Sequence, residues 1–377
     1  MHLVLYGDSG SGKSWLYKRV LEEKGIPYLI ANVANASRLG SLTAELKNVV
    51  DRADGAKQTG YSERKHIEGD AVVAKGGLSH EKHFVLRDLE PVEAAFAFLQ
   101  AQANGEPAVL VFDNLESGFD HESLMKELAD VIILLDDPRY AQYQIQLLIV
   151  GVPSGVREYF ARTPTRRSVA NRLQELPEVA RLSRKQVDTL VRRGFVDELE
   201  YSVNEPYLIR VSEHVAWVTG GVPLHVHEYC LGLAYLTEYD GTLTPDDLEP
   251  ADGMWLSGSM ADCYEAIEAA MNRREAKVGR RNQTLYALGR TRRSQFRSPD
   301  VERVVRKEFP HSTRGKNLSV AGILSDLARR DPPILRRSPR DQAYQFSDPR
   351  YVLALRAMLR KTGEAVRQVE MDSYAES

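Results

Sequence analysis

The strongest constraint on this chain lies in its first fourteen residues. His2–Tyr6 (HLVLY) is an apolar run of strand length, and it leads into Gly7-Asp8-Ser9-Gly10-Ser11-Gly12-Lys13-Ser14. This stretch fits the spacing G-x-x-x-x-G-K-[ST], the phosphate-binding P-loop, in which each part has a mechanical job. Glycines let the backbone curl so that successive N–H groups point inward at phosphate oxygens. The N-terminus of the helix that follows, Trp15–Lys24, adds a partial positive charge. Lys13 would reach the β- and γ-phosphates, and the Ser14 hydroxyl would ligate Mg²⁺. Gly7 to Ser14, with Trp15 at the head of the helix, are therefore the candidate ATP-binding residues. An apolar strand before and a helix after argue against a Gly-Ser turn beside an incidental lysine.

With 377 residues there is room for two or three domains and a substantial core. Two cysteines, Cys230 and Cys263, are too few for a disulfide framework or a Cys-based zinc site, and are expected to be free thiols of a reducing compartment. No apolar stretch approaches the ~20 residues that span a bilayer. An N-terminal core strand leaves no room for a signal peptide, so the expected location is cytoplasmic. The net charge of −3 conceals an asymmetry. Residues 273–361 hold 23 Lys and Arg against 8 Asp and Glu, while the rest of the chain holds 27 against 45. Nearly all of those C-terminal cations are arginines, which suit bidentate phosphate and guanine contacts. Duplex DNA contact through 273–361 is one expectation. Docking on the acidic N-terminal part, or on a partner protein, is the other.

Residues 1–180 alternate strands and helices, the pattern of a parallel sheet covered on both faces. Strands are predicted at Tyr28–Val33, Ala108–Phe112 and Ile145–Val150, and helices around Leu39–Arg52, Pro91–Asn104 and His121–Leu135. Between them, 55–89 is polar and Gly-rich and reads as an inserted hairpin or loop. Residues 181–245 read as helical, with Ser183 capping a helix that stops at Gly194, and two more helices split by Gly220-Gly221-Val222-Pro223. Asp246–Gly258 resembles a linker. Residues 259–363 carry three helical patterns and then a fourth, Leu318–Arg330, in which Val320, Ile323, Leu324 and Leu327 share one face. Strands around Ile334–Arg337 and Ala343–Phe346 flank a turn at Ser338-Pro339-Arg340-Asp341. A helix followed by a hairpin with a basic tip outlines a winged helix, and 364–377 is left as a tail.

Hydrolysis needs more than a phosphate cradle: an acid to hold the metal and a group to orient water. Val109-Leu110-Val111-Phe112-Asp113 places a carboxylate at the end of a buried strand, where Asp113 would share Mg²⁺ with Ser14. Asn114 follows where many ATPases carry Glu, and the nearest acid, Glu116, is the candidate catalytic carboxylate. Turnover is expected to be slow. Ser154, after the strand Ile145–Val150, is a candidate sensor of the γ-phosphate. Of Arg166, Arg167 and Arg172, the last is the candidate arginine finger, acting in trans on a neighbour's nucleotide. His225 and His227 sit two apart on a helix and cannot share a face, and His80 and His83 lie in the insert, so no metal cluster is expected.

With these residues in place, the chain resembles an AAA+/STAND-type ATPase with a C-terminal winged helix, and its layout is similar to archaeal-type ATPases and origin-recognition-type initiators. The resemblance implies an α/β P-loop core, a helical lid and a mostly helical winged-helix domain. It implies Pro223 near the nucleotide as the lid's G-x-P element, and a winged helix that reads DNA or locks the ADP state. Initiators usually carry an Arg just after the lid glycine; here Pro223 and Leu224 stand instead, which leans toward the STAND branch. Self-association and a separate protein effector are further implied partners, and a small-molecule kinase is the remaining alternative.

Overall fold

Apolar residues recur at every second position of the central strands, and the chain sorts them onto two faces of one sheet. The computed structural model describes residues 1–58, 89–151, 160, 167–272, 279–291, 293–338 and 342–369. The sequence-predicted short strands of the 55–89 insert, His80, His83, Ser154, Arg166 and the hairpin turn at 339–341 lie outside them. The described chain divides into two units, Met1–Ala180 and Arg181–Ser377.

In the first unit the order is β1 (His2–Tyr6), α1 (Lys13–Glu23), β2 (Tyr28–Asn32), α2 (Val33–Leu39), α3 (Leu42–Gln58), α4 (Pro91–Ala103), β3 (Ala108–Asp113), α5 (Glu122–Leu134), β4 (Ile145–Gly151) and β5 (Leu173–Glu175). The five strands form one sheet in the order β2-β3-β4-β1-β5, with every pairing parallel. Leu110, Phe112, Leu147 and Ile149 point into the larger core with Phe96, Phe98 and Leu99 of α4. Val111, Leu148 and Val150 point the other way, onto Tyr17 and Leu21 of α1. This alternation is the period-2 geometry of a strand buried on both sides. The helix predicted from Leu39 is two helices, because Gly40 takes the left-handed conformation at φ 73° and ends α2. Leu173–Glu175 was not predicted as a strand: three residues at a sheet edge give too short an apolar run to show periodicity.

The second unit contains α6 (Arg184–Arg192), α7 (Glu205–Val218), α8 (Pro223–Thr237), α9 (Leu248–Ser257), α10 (Ala261–Ala270), α11 (Arg280–Gly289), α12 (Ser298–Glu308) and α13 (Val320–Leu327). These lead to β6 (Leu335–Arg337), β7 (Tyr344–Phe346), α14 (Arg350–Met358), β8 (Leu359–Thr362) and β9 (Ala365–Gln368). Ser183 and Gln186 form a capping box at the start of α6. The helix does not stop at Gly194; it continues as a π-helical turn, Arg193–Glu198. Gly220 and Gly221 both have positive φ, and a Cβ on Gly221 would stand 2.2 Å from the Leu182 carbonyl oxygen. Leu182 N–H donates to the Gly221 carbonyl at 2.7 Å, so only glycine permits this approach.

Two expectations need correction. The predicted linker 246–258 is instead α9, with Ala251, Trp255 and Leu256 buried in the core. Its acids looked like solvated linker residues, but three of the four are engaged. Asp247 caps Thr244, Glu249 pairs with Arg367, and Asp252 is wholly buried. Likewise the predicted tail begins inside the β8–β9 hairpin, turned at Gly363 with φ 61°. One apolar core runs from Val187 to Leu359, so helices assigned to the lid and helices assigned to the winged helix share it.

Within that core, α11, α12 and α13 precede an antiparallel hairpin that pairs Leu335 with Phe346 and Arg337 with Tyr344. Phe296, between α11 and α12, bridges to Tyr344 as a third short strand. Helix, short strand, two helices and a hairpin is the order of a winged helix.

Candidate functional site

β1 delivers Gly7 to the carboxyl edge of the sheet, and the chain curls there before α1 begins. Gly10 and Gly12 adopt φ 74° and 88°, left-handed values that a side chain resists. Gly7 is needed for space: a Cβ there would meet the Val179 carbonyl oxygen at 2.6 Å and Ser11 Oγ at 2.8 Å. Lys13 Nζ donates to the carbonyls of Gly7 and Asp8, both at 2.9 Å, which folds the ammonium back over the loop. Ser11 is 4% exposed and its Oγ has no hydrogen-bond partner. A buried hydroxyl without a partner inside a curl of N–H groups fits a phosphate ligand, because burial alone would cost it about 1–3 kcal/mol.

Asp113 ends β3 and is 7% exposed. Ser14 Oγ and Tyr17 OH each donate to its Oδ2 at 2.9 Å, and the Asn114 N–H donates to Oδ1 at 2.9 Å. The strand order explains the reach. β4 separates β1 from β3, and side chains of α1 cross above it to meet the acid. Tyr17 was not among the expected site residues. Its signal was present, three residues after Ser14 and hence on the same helical face, but a buried tyrosine reads first as core.

Asn114, at φ 59°, turns its Nδ2 toward Asn32 Oδ1 at 3.3 Å, the residue that faces Asp113 on β2. Glu116 begins the first turn of a 3₁₀ segment, Leu115–Gly118, on the other side. Its Oε2 lies 3.6 Å from the position of a Cβ on Gly151, and Gly151 pairs with Tyr6, the residue before the loop. The carboxylate is exposed at the foot of the phosphate loop. Trp15 is 70% exposed at the head of α1.

Arg172 is not brought to this edge of the sheet. It precedes β5 at the amino edge, where its carbonyl accepts from the His2 N–H at 2.7 Å. Its guanidinium pairs with Asp136 at 2.5 Å and donates to the Ser168 carbonyl. That ion pair lies at the opposite edge of the sheet from the phosphate loop of its own chain. Pro223 belongs to the second unit and opens α8. Among the described residues no group of three His, Cys, Asp or Glu could hold a metal on its own, and no helix is long and apolar enough to cross a membrane.

An acid that reaches the P-loop serine from two strands away, beneath glycines at the carboxyl edge of a parallel sheet, defines a P-loop ATPase. An AAA domain family model matches residues 1–160. The fold is similar to that of a Walker-type ATPase of Pyrococcus abyssi, with a TM-score of 0.50 at 15% identity, over 94% of this chain and 90% of that one. The ORC2 protein of Aeropyrum pernix aligns over 94% of this chain and 85% of its own, at 11% identity and a TM-score of 0.46. Cdc6p of Pyrobaculum aerophilum aligns over 94% and 87%, at 16% identity and a TM-score of 0.42. No curated protein matches the sequence significantly.

Proposed function

We propose that this ATPase is a slow nucleotide switch whose ATP-bound state controls duplex DNA binding by its arginine-rich C-terminal part. The observation that carries the nucleotide half is the shared Asp113 oxygen, held by Ser14 and Tyr17 at equal distances. Ser14 Oγ and Asp113 would hold Mg²⁺, the latter through the ion's water shell, and the ion neutralises charge on the phosphates. Lys13 exchanges its two loop carbonyls for phosphate oxygens, and the loop N–H groups and Ser11 Oγ cradle them. Glu116 orients the attacking water and takes its proton. Asn114, an amide that donates to Asn32, cannot take a proton. A single exposed base, with no second acid beside it among the described residues, supports slow turnover.

For the DNA half, many arginines of the segment are engaged inside the second unit, and another group lies around the hairpin. Arg336 and Arg337 are exposed on β6. Arg293 and Arg297 flank Phe296 beside it, lining an open cleft of about 470 Å³ with Gln295 and Asp300. Such a cluster suits phosphate contacts, which strengthen as salt falls. The experiment is fluorescence anisotropy on a generic duplex with ATP, with ADP and without nucleotide, across a salt series, alongside Lys13→Ala. Salt-steep binding that changes with nucleotide and is uncoupled in Lys13→Ala is the expected result. No binding at low salt in any state overturns the DNA reading.

One observation favours a second reading, a switch whose C-terminal part docks a protein effector. The exposed positions of α13 are Ala321 and Gly322, with Ser325 half-buried, so the helix that would enter a groove presents no cation in its first two turns. ATP-dependent assembly without DNA is the outcome that would select it.

A further inference from the structure

A second cationic feature of the second unit is built from residues other than those of the hairpin. Within the second unit, α7, α11 and the α14–β8 junction enclose a cleft of about 350 Å³. Arg290, Arg356, Arg360 and Lys361 line it, together with Trp217 and Tyr286. Four permanent cations around one concavity repel one another unless counter-charge is present. Among the described residues, two carboxylates meet these cations. Asp252 is wholly buried and already engaged by Arg360, by His214 Nε2 at 2.9 Å and by Tyr229 OH at 3.0 Å. Glu308 stands 3.8 Å from Lys361 Nζ, a loose pair.

The arginines are preorganised. Arg290 lies over the Trp217 ring at 4.9 Å and the Tyr286 ring at 5.1 Å, and donates to Tyr286 OH at 2.6 Å. Arg356 lies over Trp217 at 4.4 Å and donates to the carbonyls of Gly289 and Trp217 at 2.8 and 3.1 Å. Stacking fixes each guanidinium plane while leaving N–H donors at its edge, the geometry that recognises phosphate bidentately. Arg290 is exposed, and among the described residues it has no carboxylate partner.

We propose that this cleft binds a small phosphoryl anion, of the pyrophosphate type carried by nucleotides, at a site separate from the P-loop. A concave cleft of this size with Leu355 and Leu359 in its lining matches a small ligand. Three tryptophans simplify the measurement: Trp217 is in the cleft, Trp15 is at the P-loop helix and Trp255 is buried in the core.

The probe is inorganic pyrophosphate, titrated into the full chain carrying Lys13→Ala and Trp15→Phe, with tryptophan fluorescence and calorimetry as readouts. Saturable binding with a fluorescence change is expected. Arg290→Gln should weaken it at least tenfold without lowering Tm, and Arg290→Lys, which keeps charge but not the fork, should recover only part. ATP in place of pyrophosphate should compete for the same site. Absence of saturable binding overturns the proposal, as does binding that Arg290→Gln leaves unchanged. Loss confined to a short duplex, with pyrophosphate silent, assigns the cleft to nucleic acid and also overturns it. Because the P-loop is disabled throughout, none of these results bears on the nucleotide switch, which is read separately in the chain with Lys13 intact.

Discussion

The phosphate loop and the arginine-rich segment invite the same reading from sequence, positive groups awaiting phosphate, but the structure treats them differently. At the loop, Lys13 is held only by main-chain carbonyls, so nothing but weak neutral partners must be displaced for it to act. In the C-terminal segment, cation after cation is already committed. Arg281 and Arg330 meet Asp326, Arg306 meets Glu302 and two carbonyls, and Arg350 meets Asp348. The lesson is that a local motif announces availability, because its backbone geometry makes the site, whereas a charge balance announces only number.

The sharpest way to break this comparison is to remove an arginine from the segment that the structure makes internal. Arg360→Ala should lower the stability of the second unit by about 3–5 kcal/mol, because it strips a cation from wholly buried Asp252. Denaturant unfolding of the variant measures this; a loss below 1 kcal/mol would show the pair to be dispensable. Next in size is the loop itself. Lys13→Ala should weaken ATP binding about a hundredfold, close to 2.7 kcal/mol, with Tm in the absence of nucleotide unchanged. Calorimetric titration with ATP decides it.

A smaller effect separates surface arginines from internal ones. Arg336→Ala and Arg337→Ala should each reduce the salt slope of duplex binding by about 1 and cost about 1 kcal/mol at low salt, with unaltered stability. Arg306→Ala should do the reverse, since its guanidinium ties Glu302 to the Thr313 and Lys316 carbonyls. If all three variants lose DNA binding equally, the distinction between exposed and internal arginines fails.

The smallest effect concerns pH. Burial, aided by the terminal ammonium, pushes the His2 imidazole down from 6.5 to about 4, and Nδ1 accepts the Leu147 N–H at 3.3 Å. A depressed pKa means the folded state favours the neutral ring, so its contribution is complete above pH 6.5 and is lost as pH falls from 6.5 toward 4. Thermal melts should drop by about 2–4 °C more across that window in the parent than in His2→Gln. Equal drops would show that His2 does not titrate with folding.

How much was legible varies with how local the determinant is. Gly7 to Ser14, the strand ending at Asp113 and the capping box at Ser183 could be read because each is specified within a few residues of backbone. Tyr17 was hidden, since only the strand order brings its hydroxyl to Asp113. The position of Arg172 was not legible, since a three-residue edge strand carries no periodic signal and puts its neighbour at the far edge of the sheet. The 246–258 stretch looked like a linker because a proline, two glycines and four acids mimic one. Its acids turn out to serve partners as distant in sequence as Arg360 and Arg367.

By itself, then, the sequence determined a parallel P-loop core, the curl of its loop and an acid at the end of β3, because strand period, glycine conformation and helix start are local physical facts. Tertiary structure alone decided which arginines stay available. An ion pair forms between residues that may be a hundred positions apart, and whether a charge is spent or exposed depends on what folding brings within 4 Å of it.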